Sequence, residues 1–130
     1  VHGQAVFTVE DLAAPDGALH PVQEALVQCH GSQCGFCTPG FVMSLYALYE
    51  TTGGGQGVTR ESAQAALSGN LCRCTGYRPI LDAAERMGEL PCPDASRLDE
   101  AAVLRGLRTL GPAPVDGPYQ RPTTLEALLK

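Results

Sequence analysis

Four of the six cysteines fall in two tight groups, Cys34-Gly-Phe-Cys37 and Cys72-Arg-Cys74. Thiolates at that density are what a soft metal centre requires. Each group closes a small chelate ring, and 34 residues lie between Cys37 and Cys72. The entropy of closing such a loop grows only logarithmically with its length, so coordination readily outweighs it. An even cysteine count could be read as disulfides, but Cys-x-Cys spacing suits them poorly. Two occupants fit the donor set: a [2Fe-2S] cluster and a structural zinc held by four thiolates. Zinc knuckles are typically two Cys-x-x-Cys pairs about 15 to 20 residues apart. Here the second group is Cys-x-Cys and both groups adjoin helix starts, which favours iron–sulfur and leaves zinc as the alternative.

Holding four thiols together takes helices, and the chain signals them clearly. Pro21 opens a helix with Val22, Ala25, Leu26 and Cys29 on one face, and Gly31 stops it. Thr38 as cap and Pro39 open a second, with an apolar stripe of Phe41, Leu45, Leu48 and Tyr49 ending at Gly53-Gly54-Gly55. Thr59 caps a third over about residues 60 to 67, broken by Ser68-Gly69-Asn70 just before Cys72. A fourth is expected over about residues 79 to 87, after Thr75-Gly76-Tyr77. Helix, cysteine group, helix, twice over, implies an all-α fold: two hairpins in a small four-helix bundle with both cysteine turns at one end. Helix starts beside the thiols would turn positive dipole ends toward an anionic cluster, with Arg73 and Arg78 adding charge. Gly35, Gly69 and Gly76 would let the backbone wrap the sulfurs.

Composition sets the frame. A chain of 130 residues, 44% hydrophobic but 5% aromatic and without Trp, suits small close-packed helices in one compact domain. A net charge of −5 offers no footprint for nucleic acid, and no apolar run approaches a membrane span. Val1-His2-Gly3-Gln4 lacks the basic start and apolar run of a signal peptide, so reduced thiols and a cytoplasmic location are expected. Residues 5 to 10 alternate well enough to read as a short strand with no partner in the chain. A further helix over about residues 97 to 110 and a Pro- and Gly-rich linker over residues 111 to 118 follow.

The segments Gly31-Ser-Gln-Cys-Gly-Phe-Cys-Thr-Pro-Gly40 and Gly69-Asn-Leu-Cys-Arg-Cys-Thr-Gly-Tyr-Arg-Pro-Ile80 resemble the two signatures of the helical [2Fe-2S] domain in the molybdenum hydroxylases, the family of xanthine dehydrogenase and aldehyde oxidoreductase. Thr8-Val-Glu-Asp-Leu12 and Leu19-His-Pro-Val-Gln23 extend the likeness, so that it covers about residues 3 to 88. The resemblance implies that Cys34, Cys37, Cys72 and Cys74 ligate one [2Fe-2S] cluster. It further implies that Gln33 and Cys74 lie against the pterin of a molybdenum cofactor, molybdopterin, bound by a separate large subunit. Electrons would then pass from molybdopterin through this cluster toward a second [2Fe-2S] cluster and FAD, in a hetero-oligomeric, xanthine dehydrogenase-like purine hydroxylase using NAD. Iron–sulfur subunits of other molybdenum hydroxylases, acting on aldehydes, CO or N-heterocycles, are the nearer alternative, and a zinc-stabilised interaction module the more distant one.

The tail Tyr119-Gln-Arg-Pro-Thr-Thr-Leu-Glu-Ala-Leu-Leu-Lys130 resembles the opening of the family's FAD domain. No cysteine precedes Cys29, so the plant-type ferredoxin domain that carries the second cluster in this family is not in this stretch. The expected layout is the end of that domain over residues 1–18, the helical [2Fe-2S] domain over 19–90, a linker with a helix over 91–118 and the start of an FAD domain over 119–130, as in a fragment or processed chain. Cys29 reads as a buried structural thiol and Cys92 as an exposed one; His20 and His30 read as caps or surface groups. Phe36, Tyr46, Tyr49 and Tyr77 read as packing around the cluster. Asp82, Glu85 and Glu89 read as a solvated face with Arg78 and Arg86, with no carboxylate pair poised for acid–base catalysis.

Overall fold

The computed structural model describes residues 3–96, 99–111, 122 and 124–129. Among them every regular element is helical, as the all-α reading requires. The chain divides into two compact units, Phe7–Leu98 on one hand and Val1–Val6 with Asp99–Lys130 on the other.

In the first unit α1 runs Pro21–Gln28. Pro21 takes the first helical position, where its missing N–H is no loss. His20 is the cap: its Nδ1 accepts from the Val22 N–H at 3.3 Å while its own N–H donates to Gln23 Oε1 at 3.1 Å. The helix closes by the Gly31 N–H reaching back to the Leu26 carbonyl at 2.8 Å. This Schellman closure puts His30 in the left-handed region at φ 57°, a place glycine usually fills.

Helix α2, Thr38–Thr51, follows Cys37 directly. It ends where Gly53, Gly54 and Gly55 all take positive φ, and the N–H groups of Gly54 and Gly55 both donate to the Tyr49 carbonyl. Helix α3, Arg60–Leu67, starts from a reciprocal box in which Thr59 Oγ1 accepts from the Ser62 N–H and Ser62 Oγ accepts from that of Thr59. Helix α4 is Arg78–Arg86, continued by a 3-10 turn at Met87–Glu89.

α1 packs on α2 and α4, and α3 packs on the same two helices. The core between them is built from Val22, Leu26, Phe41, Leu45, Ile80 and Met87, all buried. Such burial is worth about 1.5 to 3 kcal/mol for each large apolar side chain. Arg60 reaches from the start of α3 to Asp82 at 2.9 Å and Glu85 on α4. The acidic face expected to be merely solvated therefore ties two helices, though at this exposure the tie contributes about 0 to 1 kcal/mol.

Two expectations need correction, and a third is narrowed to one of its alternatives. The strand expected over residues 5 to 10 does not form: residues 5–8 carry no regular element and Val9–Asp11 make a 3-10 turn that packs on α2. A lone strand would leave its backbone groups unpaired, whereas Asp11 Oδ2 accepts from the Thr8 N–H at 2.7 Å and settles the segment locally. Thr38 does not cap α2; it lies inside the helix, and its hydroxyl pairs with Ser32 Oγ at 2.7 Å. His20 is no surface group but 1% exposed, with its ring edge-on to Tyr46 and Tyr49 at 5.1 and 4.8 Å.

In the second unit α5 is Glu100–Arg108, starting at Glu100 because Asp99 Oδ1 caps the Ala102 N–H at 2.9 Å. The expected start at residue 97 and the linker over residues 112–118 lie outside the described residues. Helix α6, Leu125–Leu128, is capped by Thr124. No helix among the described residues is long and apolar enough to cross a membrane.

Two tests follow from this packing. A Cβ on Gly88 would collide with the backbone carbonyl of Gly55, where the glycine loop lies against the end of α4. Gly88→Ala is expected to destabilise the chain by about 1 to 3 kcal/mol in urea unfolding. Burial holds the His20 pKa at about 4, against 6.5 ordinarily. The unfolded chain therefore gains a proton near pH 6.5 that the folded chain refuses, so stability is full above that pH and falls as pH drops toward 4. The loss amounts to about 3 kcal/mol at the low end. His20→Asn keeps a capping acceptor and should flatten this dependence, read as the urea midpoint between pH 6.5 and 5.

Candidate metal centre

The two cysteine groups reach one place because each is tied to α2 or α4. Cys37 is the residue from which α2 starts. The loop before it turns at Gly35, φ 83°, and closes with the Thr38 N–H donating to the Gly35 carbonyl at 3.2 Å. The second loop is held on α2 from its near end: Asn70 Nδ2 donates to Ser44 Oγ at 2.8 Å. Gly40 leaves room for that approach, since a Cβ there would stand 3.0 Å from Asn70 Oδ1. At its far end the loop passes through two consecutive left-handed residues, Gly76 at φ 68° and Tyr77 at φ 69°, before α4 begins. Gly69, expected to serve the same purpose, has no such backbone angle.

Cys34, Cys37, Cys72 and Cys74 line a single cavity of about 460 Å³ together with Phe36, Leu71, Arg73 and Tyr77. Within it the thiols pair. Cys34 and Cys74, both exposed, shift each other's pKa, as do Cys37 and Cys72, both half-buried. In each pair one sulfur gives up its proton more easily than the other. The Phe36 N–H, then the Cys74 thiol, lowers the pKa of Cys34, while that of Cys74 is raised by its bond to Cys34. Cys72 is brought down to about 7, first by the Thr75 hydroxyl 3.2 Å from its sulfur and then by the Thr75 N–H. Burial, then the bond to Cys72, pushes Cys37 up.

Among the described residues no three Cys, His, Asp or Glu side chains converge tightly enough to hold one metal ion. The arrangement is two pairs facing one cavity, with no carboxylate or imidazole among its lining residues. An all-sulfur set in two pairs fits a binuclear sulfide-bridged cluster, which places two thiolates on each iron.

Of the residues singled out from the sequence, Gln33 is exposed beside Cys34 and does not line the cavity. Arg73 lines it and Arg78 does not. Cys29 ends α1, half-buried and packed against the core, with its pKa raised chiefly by burial, in keeping with a structural thiol. Cys92 is half-buried instead of exposed, its sulfur 3.7 Å from Ser96 Oγ. Tyr46 and Tyr49 face His20 and not the thiols. Thr75 escaped the sequence reading, although a hydroxyl three residues after Cys72 is placed to bond back to it. Leu71 escaped too: it and Phe36 are 82% and 95% exposed at the cavity mouth.

The model of the [2Fe-2S] binding domain family matches residues 8–85, a span that holds all four cavity cysteines. A xanthine dehydrogenase of Oryza sativa subsp. japonica is 57% identical over 83 residues, 64% of this chain and 6% of that protein. Aldehyde oxidase 1 of Cavia porcellus is 56% identical over 85 residues, 65% of this chain and 6% of that protein. The chain thus spans a small part of the length of these relatives. Among solved structures, a crystal structure of quinoline 2-oxidoreductase from Pseudomonas putida 86 superposes with a TM-score of 0.54 at 34% identity, covering 63% of this chain and 49% of that one.

Proposed function

This chain belongs to the [2Fe-2S] binding domain family, and on that premise we propose that Cys34, Cys37, Cys72 and Cys74 hold one [2Fe-2S] cluster through which it serves as an electron-transfer module of a molybdenum hydroxylase. The observation that carries this reading is the meeting of both thiol pairs in one cavity within the family span. When bound, such a cluster supplies a one-electron carrier whose potential is set by hydrogen bonds to sulfur and by solvent access. The chain's own part is to present four thiolates, to direct the Thr75 hydroxyl and N–H at the Cys72 sulfur, and to keep Cys37 and Cys72 half-buried.

The finer reading rests on the sequence resemblance. In that reading the module would lie between a molybdopterin-binding subunit, met at Gln33 and Cys74, and a second [2Fe-2S] cluster and FAD. Residues 19–90, which contain α1 to α4, are the helical domain proper, flanked by parts of a ferredoxin domain and an FAD domain. Phe36 and Leu71 support a partner at this face, because a protein covering the cavity mouth would remove both from water and dry the site. A purine substrate, as in xanthine dehydrogenase, is the reading we favour. Relatives named for aldehydes and for quinoline are also similar to this chain, so substrate choice belongs to the molybdenum-binding part of the assembly.

Replacing any one of Cys34, Cys37, Cys72 or Cys74 by Ser is expected to abolish or strongly reduce iron and acid-labile sulfide in the anaerobically reconstituted chain. Cys29→Ser and Cys92→Ser should load fully. Full loading of one of the first four variants would remove that residue from the ligand set, and loss of loading in Cys29→Ser would move the site. Phe36→Asp with Leu71→Asp should leave loading intact yet release a co-expressed molybdopterin-binding subunit during purification. Retention of that subunit would locate its contact elsewhere.

A further inference from the structure

Tyr77 holds a backbone conformation that a residue with a Cβ adopts only where its surroundings enforce it, at φ 69°. Three contacts enforce it. Its ring stands edge-on to Phe41, buried on α2, with centroids 6.2 Å apart. Its hydroxyl accepts the backbone N–H of Cys72 at 3.0 Å, bridging the cysteine loop from its exit back to its entry. Its own N–H donates to Thr75 Oγ1 at 3.2 Å, and that hydroxyl lies 3.2 Å from Cys72 Sγ. A hydroxyl that accepts from Tyr77 keeps its hydrogen for the sulfur. The residue therefore touches the helix that Cys37 begins, the backbone of Cys72 and, through Thr75, the sulfur of Cys72.

We propose that Tyr77 is a positioning residue of the metal centre: its phenol latches the Cys72 backbone and its N–H turns the Thr75 hydroxyl onto the Cys72 sulfur, presetting the second loop for ligation. This rests on Cys72 being a cluster ligand. Glycine would suit the backbone angle better, so a tyrosine kept in this conformation is explained by what its side chain holds. The strain is offset by the latch. Losing the phenol oxygen leaves the Cys72 N–H without its acceptor, and the loop is freed to leave the geometry that four-thiolate binding needs.

The test uses the reconstituted 130-residue chain as wild type, Tyr77→Phe and Tyr77→Gly, comparing iron release to a chelator and the EPR spectrum after dithionite reduction. Tyr77→Phe keeps the ring and should load iron, release it about five-fold faster, the equivalent of one net hydrogen bond, and shift or broaden the EPR signal. Tyr77→Gly, relieved of strain but without latch or ring, should release iron faster still. Tyr77→Phe indistinguishable from wild type in both readouts, or Tyr77→Gly as slow as wild type, overturns the proposal. So does a Tyr77→Phe chain that melts earlier without metal yet gives an unchanged spectrum, since that is the mark of a purely structural residue. A wild-type chain that takes up neither iron nor sulfide overturns the cluster reading itself, which is a separate result.

Discussion

The contact of α2 with its neighbours through Phe41, Leu45 and Ile80 is the constraint on which the rest depends. Cys37 begins α2, and the loop holding Cys72 and Cys74 leads into α4, so the thiols share a cavity only while the two helices keep their places around that core. Phe41 serves twice, filling the core and meeting the Tyr77 ring at the cavity wall. Asn70 on Ser44, admitted by Gly40, pins the other end of the loop to the same helix. Apolar burial beside the sulfurs, with Cys37 and Cys72 packed against the same core, thus sets the position of groups far apart in the chain.

The electrostatics follow from that enforced proximity. Four thiols in one cavity cannot all ionise cheaply, because each thiolate raises the cost of the next. Their pKa values accordingly split, Cys34 and Cys72 being lowered while Cys74 and Cys37 are raised. Metal binding would release the remaining protons and replace the repulsion with coordination. The pairs differ in surroundings: Cys34 and Cys74 face water while Cys37 and Cys72 are half covered.

Helices and thiols were legible because their signals are local. Pro21, the apolar stripe from Phe41 to Tyr49, Thr59 and the glycines after Thr52 each act within one or two turns, and α1 to α4 lie within a residue or so of where they mark them. That each cysteine group stays together was legible from spacing, since cysteines two or three residues apart in a tight turn cannot separate. What was not legible depends on distant partners. The 5 to 10 segment looked like a strand because alternation carries no information on whether a second strand exists. His20 was legible as a cap or a surface group but its burial was not, because the edge-on rings of Tyr46 and Tyr49, 26 and 29 residues further on, are invisible in its own neighbourhood. Tyr77 read as packing because neither its left-handed backbone nor its bond to Cys72 can be inferred from the side chain's type.

The central claim is that the paired thiols hold a binuclear sulfide-bridged cluster. Iron, zinc and acid-labile sulfide content of the anaerobically reconstituted wild-type chain, with an EPR spectrum after dithionite, addresses it most directly. The account predicts about two irons and two sulfides per chain and one S = 1/2 signal. One zinc per chain, no sulfide and no signal would contradict it and leave a four-thiolate structural site.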